Sequence, residues 1–153
     1  VWAVPPLRYE PVLWSSAGKV LELQRMARWF PPQITTQSPG REKPPTPSVG
    51  GIWHDGHEQL WVILQVPDAN WRAPPAAMLP QGERGPPVDW DREYDTIVEV
   101  INTRTGRLLA SQRFGELLRR LMPGGHVAHY REDTDGEPFL AVWQLSLSIP
   151  PGR

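Results

Sequence analysis

YDTIVEVINTRTGRLLASQRF, residues Tyr94 to Phe114, decides the fold. It consists of two runs of alternating apolar and polar residues joined by a turn. The first run, Ile97 to Ile101, is β-branched apart from Glu99. In the second, Leu108, Ala110 and Gln112 face one way and Leu109, Ser111 and Arg113 the other. A period of two with β-branched residues is a strand signal, because successive side chains of a strand point to opposite faces. Between the runs, Asn102-Thr103-Arg104-Thr105-Gly106 supplies a hairpin loop with glycine where a positive φ is needed. The stretch reads as a β-hairpin.

Working outward, a second hairpin of the same design lies near the start. Glu10 to Ser15 (EPVLWS) is extended, Ser16-Ala17-Gly18-Lys19 turns, and Val20 to Gln24 (VLELQ) returns. Both hairpins place a basic residue after the loop glycine, Lys19 and Arg107, and both return on a leucine-rich strand. Before the first, Val1 to Val4 reads as a strand stopped by Pro5-Pro6. Gly50 to His54 begins another, His54 to Glu58 turns, and Gln59 to Val66 (QLWVILQV) is apolar enough to be buried on both faces. A third hairpin closes the chain: His126 to Glu132 goes out, Asp133-Thr134-Asp135-Gly136 turns, and Phe139 to Ile149 returns. Phe114, Leu117, Leu118 and Leu121 are spaced i, i+3, i+4, i+7, which predicts one short helix ended by Pro123-Gly124-Gly125.

Two proline-rich segments interrupt this pattern. Pro31 to Ser48 reads as a solvated connector. Ala69 to Asp91, with Trp71, Pro74-Pro75, Pro80, Pro86-Pro87 and Trp90, is long enough for a functional or disordered loop. Nineteen prolines in 153 residues make long helices scarce, since proline removes a backbone donor and clashes with the preceding turn. A formal charge of −1 with mixed signs leaves no basic stripe for nucleic acid. No apolar run reaches the roughly 18 residues that a membrane-spanning helix requires. With no cysteine, disulfides and thiolate metal sites are excluded. The opening Val1-Trp2-Ala3-Val4, without initiator methionine or signal-peptide pattern, reads as the start of an excised piece or a processed product.

An internal repeat emerges from the alignment of two stretches. Val1 to Val4 followed by VLWSSAGKVLELQ has the same order as Leu60 to Ile63 followed by VEVINTRTGRLLASQ: a Trp-containing apolar strand, a break, then a hairpin. Strand groups that cannot bury both faces alone point to a propeller or a solenoid, and four antiparallel strands per unit favour the propeller. IVEVINTRTGRLLASQRF, GIWHDGHEQLWVILQV and REDTDGEPFLAVWQL together resemble the C-terminal part of bacterial six-bladed β-propeller proteins of the broad NHL-like kind. The resemblance implies an all-β fold of antiparallel four-stranded blades, present as about two blades. Residues 1–30 would be part of a blade, 49–114 a whole blade with the insertion 69–91, and 126–149 a closing hairpin. It also implies export or a periplasmic location, which the residues themselves leave open. Six blades need more than twice this length, so the missing blades would come from the rest of a longer protein or from self-association.

Candidate chemistry is sparse. His54, Asp55, His57 and Glu58 are the densest metal-capable group, yet the same residues read as a hairpin turn built on Asp-Gly. Asp133, Asp135 and Glu137 around Gly136 resemble the start of a calcium loop, but the position of the closing glutamate is Gln144, so a tight turn is the better reading. His126 and His129, near Tyr130, are within reach of Asp95 or Glu99 only if blades juxtapose them. Trp2, Trp14, Trp53, Trp61 and Trp143 lie in strands and are expected in the core, whereas Trp71 and Trp90 sit on the long insertion and suit a stacking surface. No residue is assigned as catalytic, cofactor-binding or metal-ligating, and no cofactor is implied. The leading functional reading is a non-catalytic binding or scaffold module, with the loop Ala69 to Asp91 directed at an unidentified protein or small molecule. The alternative is a propeller-type hydrolase or lyase with a divalent metal on the central axis.

Overall fold

A computed structural model describes residues 1–23, 25, 27, 30, 43–73 and 90–148. Strands form where the alternating and β-branched runs lie: β1 (Trp2–Ala3), β2 (Val12–Ser15), β3 (Gly18–Glu22), β4 (Ser48–His54), β5 (Gln59–Pro67), β6 (Tyr94–Asn102), β7 (Leu108–Phe114), β8 (Leu118–Met122), β9 (His126–Glu132) and β10 (Pro138–Gln144). A single helical turn, Trp90–Glu93, leads into β6. The strands make three antiparallel meanders in chain order: a first sheet β1-β2-β3, a central sheet β4-β5-β6-β7 and a third sheet β8-β9-β10. Each repeated stretch of sequence supplies three consecutive strands, β1-β2-β3 and β5-β6-β7. Among the described residues no helix is long and apolar enough to cross a membrane.

The central sheet is covered on both sides, which explains the unbroken apolarity of β5. One face presents Leu60, Val62, Leu64, Val66, Ile97 and Ile101, packed against Tyr9, Leu23 and Phe30 and the inner side of the first sheet. The other presents Trp61, Ile63, Val98 and Val100, packed against Leu118 and Val127 of the third sheet, with Leu121 and Trp143 beside them. Contacts between strands of neighbouring sheets concentrate on β1 with β4 and β4 with β8, the first strand of each meander. A cross-sheet hydrogen bond reinforces the second junction: the Leu118 amide donates to the buried Thr96 Oγ1 at 2.8 Å.

The hairpin Tyr94 to Phe114 forms with β6 and β7, and its loop is as the residues demand. Asn102 Oδ1 accepts from the amides of Arg104 and Thr105 and from Thr105 Oγ1. Gly106 sits at φ +69°. One detail departs from strict alternation. A register shift between Val100 and Ile101 places Leu108 opposite Ile101 and leaves Leu109 unpaired, so Leu108 does not share a face with Ala110. As the exposed edge of the sheet, β7 tolerates this irregularity.

The expected helix over Phe114 to Leu121 is not seen; Leu118–Met122 is strand β8. Its false helical period has a geometric origin. Leu118 pairs with His129, Arg120 with Ala128 and Leu121 with Val127, with a register shift between Leu118 and Arg120. The bulge turns two leucines three residues apart to the same face, which on paper imitates a helix. Trp14 is a second correction: it is 47% exposed, not buried in the core. Leu13 takes the inward position opposite Leu21, and alternation turns Trp14 out opposite Lys19. Most of the two proline-rich segments, residues 31–42 and 74–89, lies outside the described residues.

Gly125 gives the fold a testable point. It adopts φ +74°, and a Cβ there would meet Trp53 Cζ3 at 3.0 Å and the Leu145 carbonyl oxygen at 3.1 Å. Gly125→Ala is expected to cost about 2 kcal/mol or more, from left-handed strain and the clash together. Urea unfolding followed by near-ultraviolet circular dichroism measures it; an unchanged midpoint would contradict the packing of Trp53 under this turn.

Candidate functional site

Two turns meet at one end of the central sheet. The β4–β5 turn is folded by Asp55, whose Oδ1 accepts the His57 amide at 2.7 Å and the Gln59 amide at 3.3 Å. The β6–β7 turn leans on it: the Thr103 amide donates to the Glu58 carbonyl at 2.7 Å, and Arg104 Nε lies 3.2 Å from Glu58 Oε2. Both partners of that ion pair are mostly solvated, so it contributes at most about 1 kcal/mol. Its use is to hold a guanidinium at the mouth of a cleft.

The cleft, of about 590 Å³, opens between the first sheet and the end of β4. Its walls are Trp2, Leu13 and Leu21 on one side and Ile52 and His54 on the other, with Thr103 and Arg104 at the rim. The Trp2 and His54 rings stack with centroids 6.3 Å apart and planes 27° apart. Trp53 alternates away from the cleft: its ring packs on Trp61, centroids 5.9 Å apart, on the face of β4 turned to the third sheet. The arrangement joins an apolar wall to the exposed Arg104 guanidinium and the Val1 ammonium, which suits a planar apolar body carrying an anionic group.

The candidate residues from the sequence are dispersed by this geometry. His54 faces the cleft, Asp55 accepts two backbone amides on Oδ1 and the Trp61 indole N–H on Oδ2, His57 is exposed, and Glu58 engages Arg104. Among the described residues no group of three or more His, Cys, Asp or Glu is placed to hold a metal ion. Asp133 Oδ1 likewise accepts the amides of Asp135 and Glu137, each at 2.9 Å, as a turn-forming side chain does. His126 and His129 do not meet Asp95 or Glu99. His126 Nδ1 lies 3.2 Å from the Pro123 carbonyl, and His129 is buried with Nδ1 3.2 Å from the Leu117 carbonyl and its ring against Trp143. Of the insertion, Trp71 is tied down by Nε1 donating to Glu93 Oε2 at 2.8 Å, and the side chain of Trp90 lies outside the described residues.

A charged cluster also emerges between the first and central sheets. Glu99, 1% exposed, accepts from Tyr9 Oη at 2.7 Å, from Arg25 Nε at 2.9 Å and Nη2 at 3.0 Å, and from Ser111 Oγ at 3.3 Å. Burial, together with the adjacent carboxylate, pushes the Tyr9 phenol well above its ordinary range. The hydrogen bonds that Arg25 donates to Glu99 hold its guanidinium above the ordinary value despite partial burial. Nearby, Asp95 Oδ2 accepts from Arg113 Nε at 2.5 Å and from the Ala69 amide at 3.0 Å. The Glu99 cluster lies in the interior and does not line the cleft, so its chemistry is structural. Its signal in the sequence was a single carboxylate inside the apolar run IVEVI. The cleft had no such signal, because Trp2, His54 and Arg104 are brought together only by the contact of two turns and a sheet packing.

Comparison of the chain with protein-family profiles, with curated proteins and with solved structures returns no match.

Proposed function

We propose that the chain is a non-catalytic binding module built from β-propeller-type blades, and that the cleft beside Trp2, His54 and Arg104 seats its ligand. The observation that carries the blade reading is the stacking: successive antiparallel meanders pack face to face and touch along β1, β4 and β8. Radially arranged blades bring their early strands together in this way. The ligand class follows from the walls. The Trp2 indole, the imidazole stacked on it and a rim guanidinium fit a small flat molecule with a carboxylate or similar anion, held by stacking and one charge-assisted hydrogen bond.

Titration with naphthalene-2-carboxylate, followed by ¹H–¹⁵N spectra, tests this. The indole N–H signal of Trp2 is expected to move, and Arg104→Ala to weaken binding about tenfold, as loss of a hydrogen bond to a charged group does. Equal binding of the neutral naphthalene-2-methanol would remove the role of Arg104. No movement at millimolar ligand would remove the cleft as a site. A melting temperature raised by calcium or zinc, and no longer raised in His54→Ala/His57→Ala, would support a metal-dependent hydrolase or lyase in its place.

A further inference from the structure

Among the described residues the backbone enters the left-handed region at Gly18, Gly56, Gly106, Gly124, Gly125 and Gly136, and at one residue that carries a side chain, Glu58, with φ 61°. A Cβ in that region crowds the following carbonyl, which is why glycine fills the other positions. With this backbone the Glu58 carbonyl accepts the Thr103 amide at 2.7 Å and joins the β4–β5 turn to the β6–β7 turn. Glycine would make the same bond without the strain. The glutamate side chain therefore needs a reason of its own, and the group it meets is Arg104, whose Nε donates to Glu58 Oε2 at 3.2 Å.

Arg104 stands at the rim of the cleft on a backbone that is already fixed, its amide donating to Asn102 Oδ1 at 3.1 Å. Its long side chain would otherwise sweep through solvent. Glu58 engages Nε and leaves the two terminal nitrogens to a ligand, whose oxyanion can meet both. The exposed pair contributes little to folding, so its consequence falls on the guanidinium. Two effects oppose each other there. Ordering the arginine before a ligand arrives is worth about fivefold in affinity. Repulsion between Glu58 and a ligand carboxylate, both in water and screened by salt, costs about twofold or less. Positioning wins.

We infer that Glu58 is a positioning residue for the cleft: it is kept at a left-handed position, against the backbone's preference, because its carboxylate presets Arg104 for an anionic ligand. The inference rests on the reading of the cleft as a ligand site.

Titration with naphthalene-2-carboxylate, set beside thermal melting, tests it. Glu58→Ala and Glu58→Gly are each expected to weaken binding about fivefold. Glu58→Gln, which keeps an acceptor for Nε, is expected to restore most of the affinity. Glu58→Gly is expected to melt about 2–4 °C above Glu58→Ala, since glycine alone relieves the left-handed backbone. Weaker binding in the more stable variant cannot then be ascribed to a damaged turn. On an Arg104→Ala background, Glu58→Gly is expected to change the affinity no further. Parent-like affinity in Glu58→Gly would overturn the inference and leave the cleft standing as a site, as would an equal loss with and without Arg104. If the parent chain binds no naphthalene-2-carboxylate at millimolar concentration, the reading of the cleft falls and this inference falls with it.

Discussion

Replacement of Glu99 by alanine is expected to lower the free energy of unfolding by about 3–5 kcal/mol, the range seen when one partner of a buried ion pair is removed. The reason lies in what stays behind. Glu99 satisfies a guanidinium through two nitrogens, the buried Tyr9 hydroxyl and Ser111, and it is itself almost wholly shielded from water. Without it, Arg25 and Tyr9 keep their desolvation cost and lose the hydrogen bonds they donate to its carboxylate. A triple variant, Tyr9→Phe/Arg25→Met/Glu99→Leu, is expected to recover most of the loss, because apolar groups of similar volume need no acceptor. Urea unfolding of the set distinguishes loss of the charge-assisted hydrogen bonds from simple loss of packing.

The same cluster sets a pH dependence. The phenol of Tyr9 is raised in the folded chain, so its contribution is complete below the pKa of an unfolded tyrosine, near 10. Above that pH the unfolded chain releases a proton that the folded chain retains, and stability falls as pH rises. Tyr9→Phe is expected to flatten the alkaline limb of the stability profile while leaving its neutral part lower.

Leu64→Ala is expected to cost about 2–5 kcal/mol, from lost transfer energy and the cavity left behind. Leu64 is fully buried on β5, opposite Val49 on β4 and Ile97 on β6, and it faces the core shared with the first sheet. With strands on both sides and a sheet above, little can collapse into the space. Leu109→Ala on the exposed edge strand serves as the contrast and is expected within about 0.5 kcal/mol of the parent. Comparable losses at the two sites would mean that the central sheet is not the middle layer.

Much of this architecture was legible in the residues. The hairpin of β6 and β7 follows from IVEVI and LLASQRF around Asn102 and Gly106, and the double burial of β5 from QLWVILQV, because period and apolarity are local properties. The β8 strand was not legible, since one bulged residue, Arg119, converts a strand's alternation into a helix-like spacing of leucines. Trp14 misled for a related reason. Tryptophan favours burial in general, but which face of a strand is inward depends on its neighbour, and Leu13 held that position. The cleft was hidden because its walls lie some fifty residues apart along the chain at each step, from Trp2 to His54 to Arg104, and only sheet packing joins them. The Glu99 cluster stood between these cases. Its carboxylate was conspicuous in an apolar run, but its partners Tyr9 and Arg25 could not be named before the first sheet was placed.

The hydrogen bond from the Leu118 amide to Thr96 Oγ1 bears on how the chain comes apart. Thr96 belongs to β6, in the middle of the molecule, whereas Leu118 begins the third sheet, and both are fully buried. Were the third sheet to lift away as a unit, it would break this bond and expose Leu118 and Val127 to water. That makes local opening of β8 to β10 nearly as costly as opening the centre. In hydrogen exchange, the Leu118 amide would then share the slow rate of β5 and β6 and not the faster rate of an outer layer, so these two sheets would unfold as one cooperative unit.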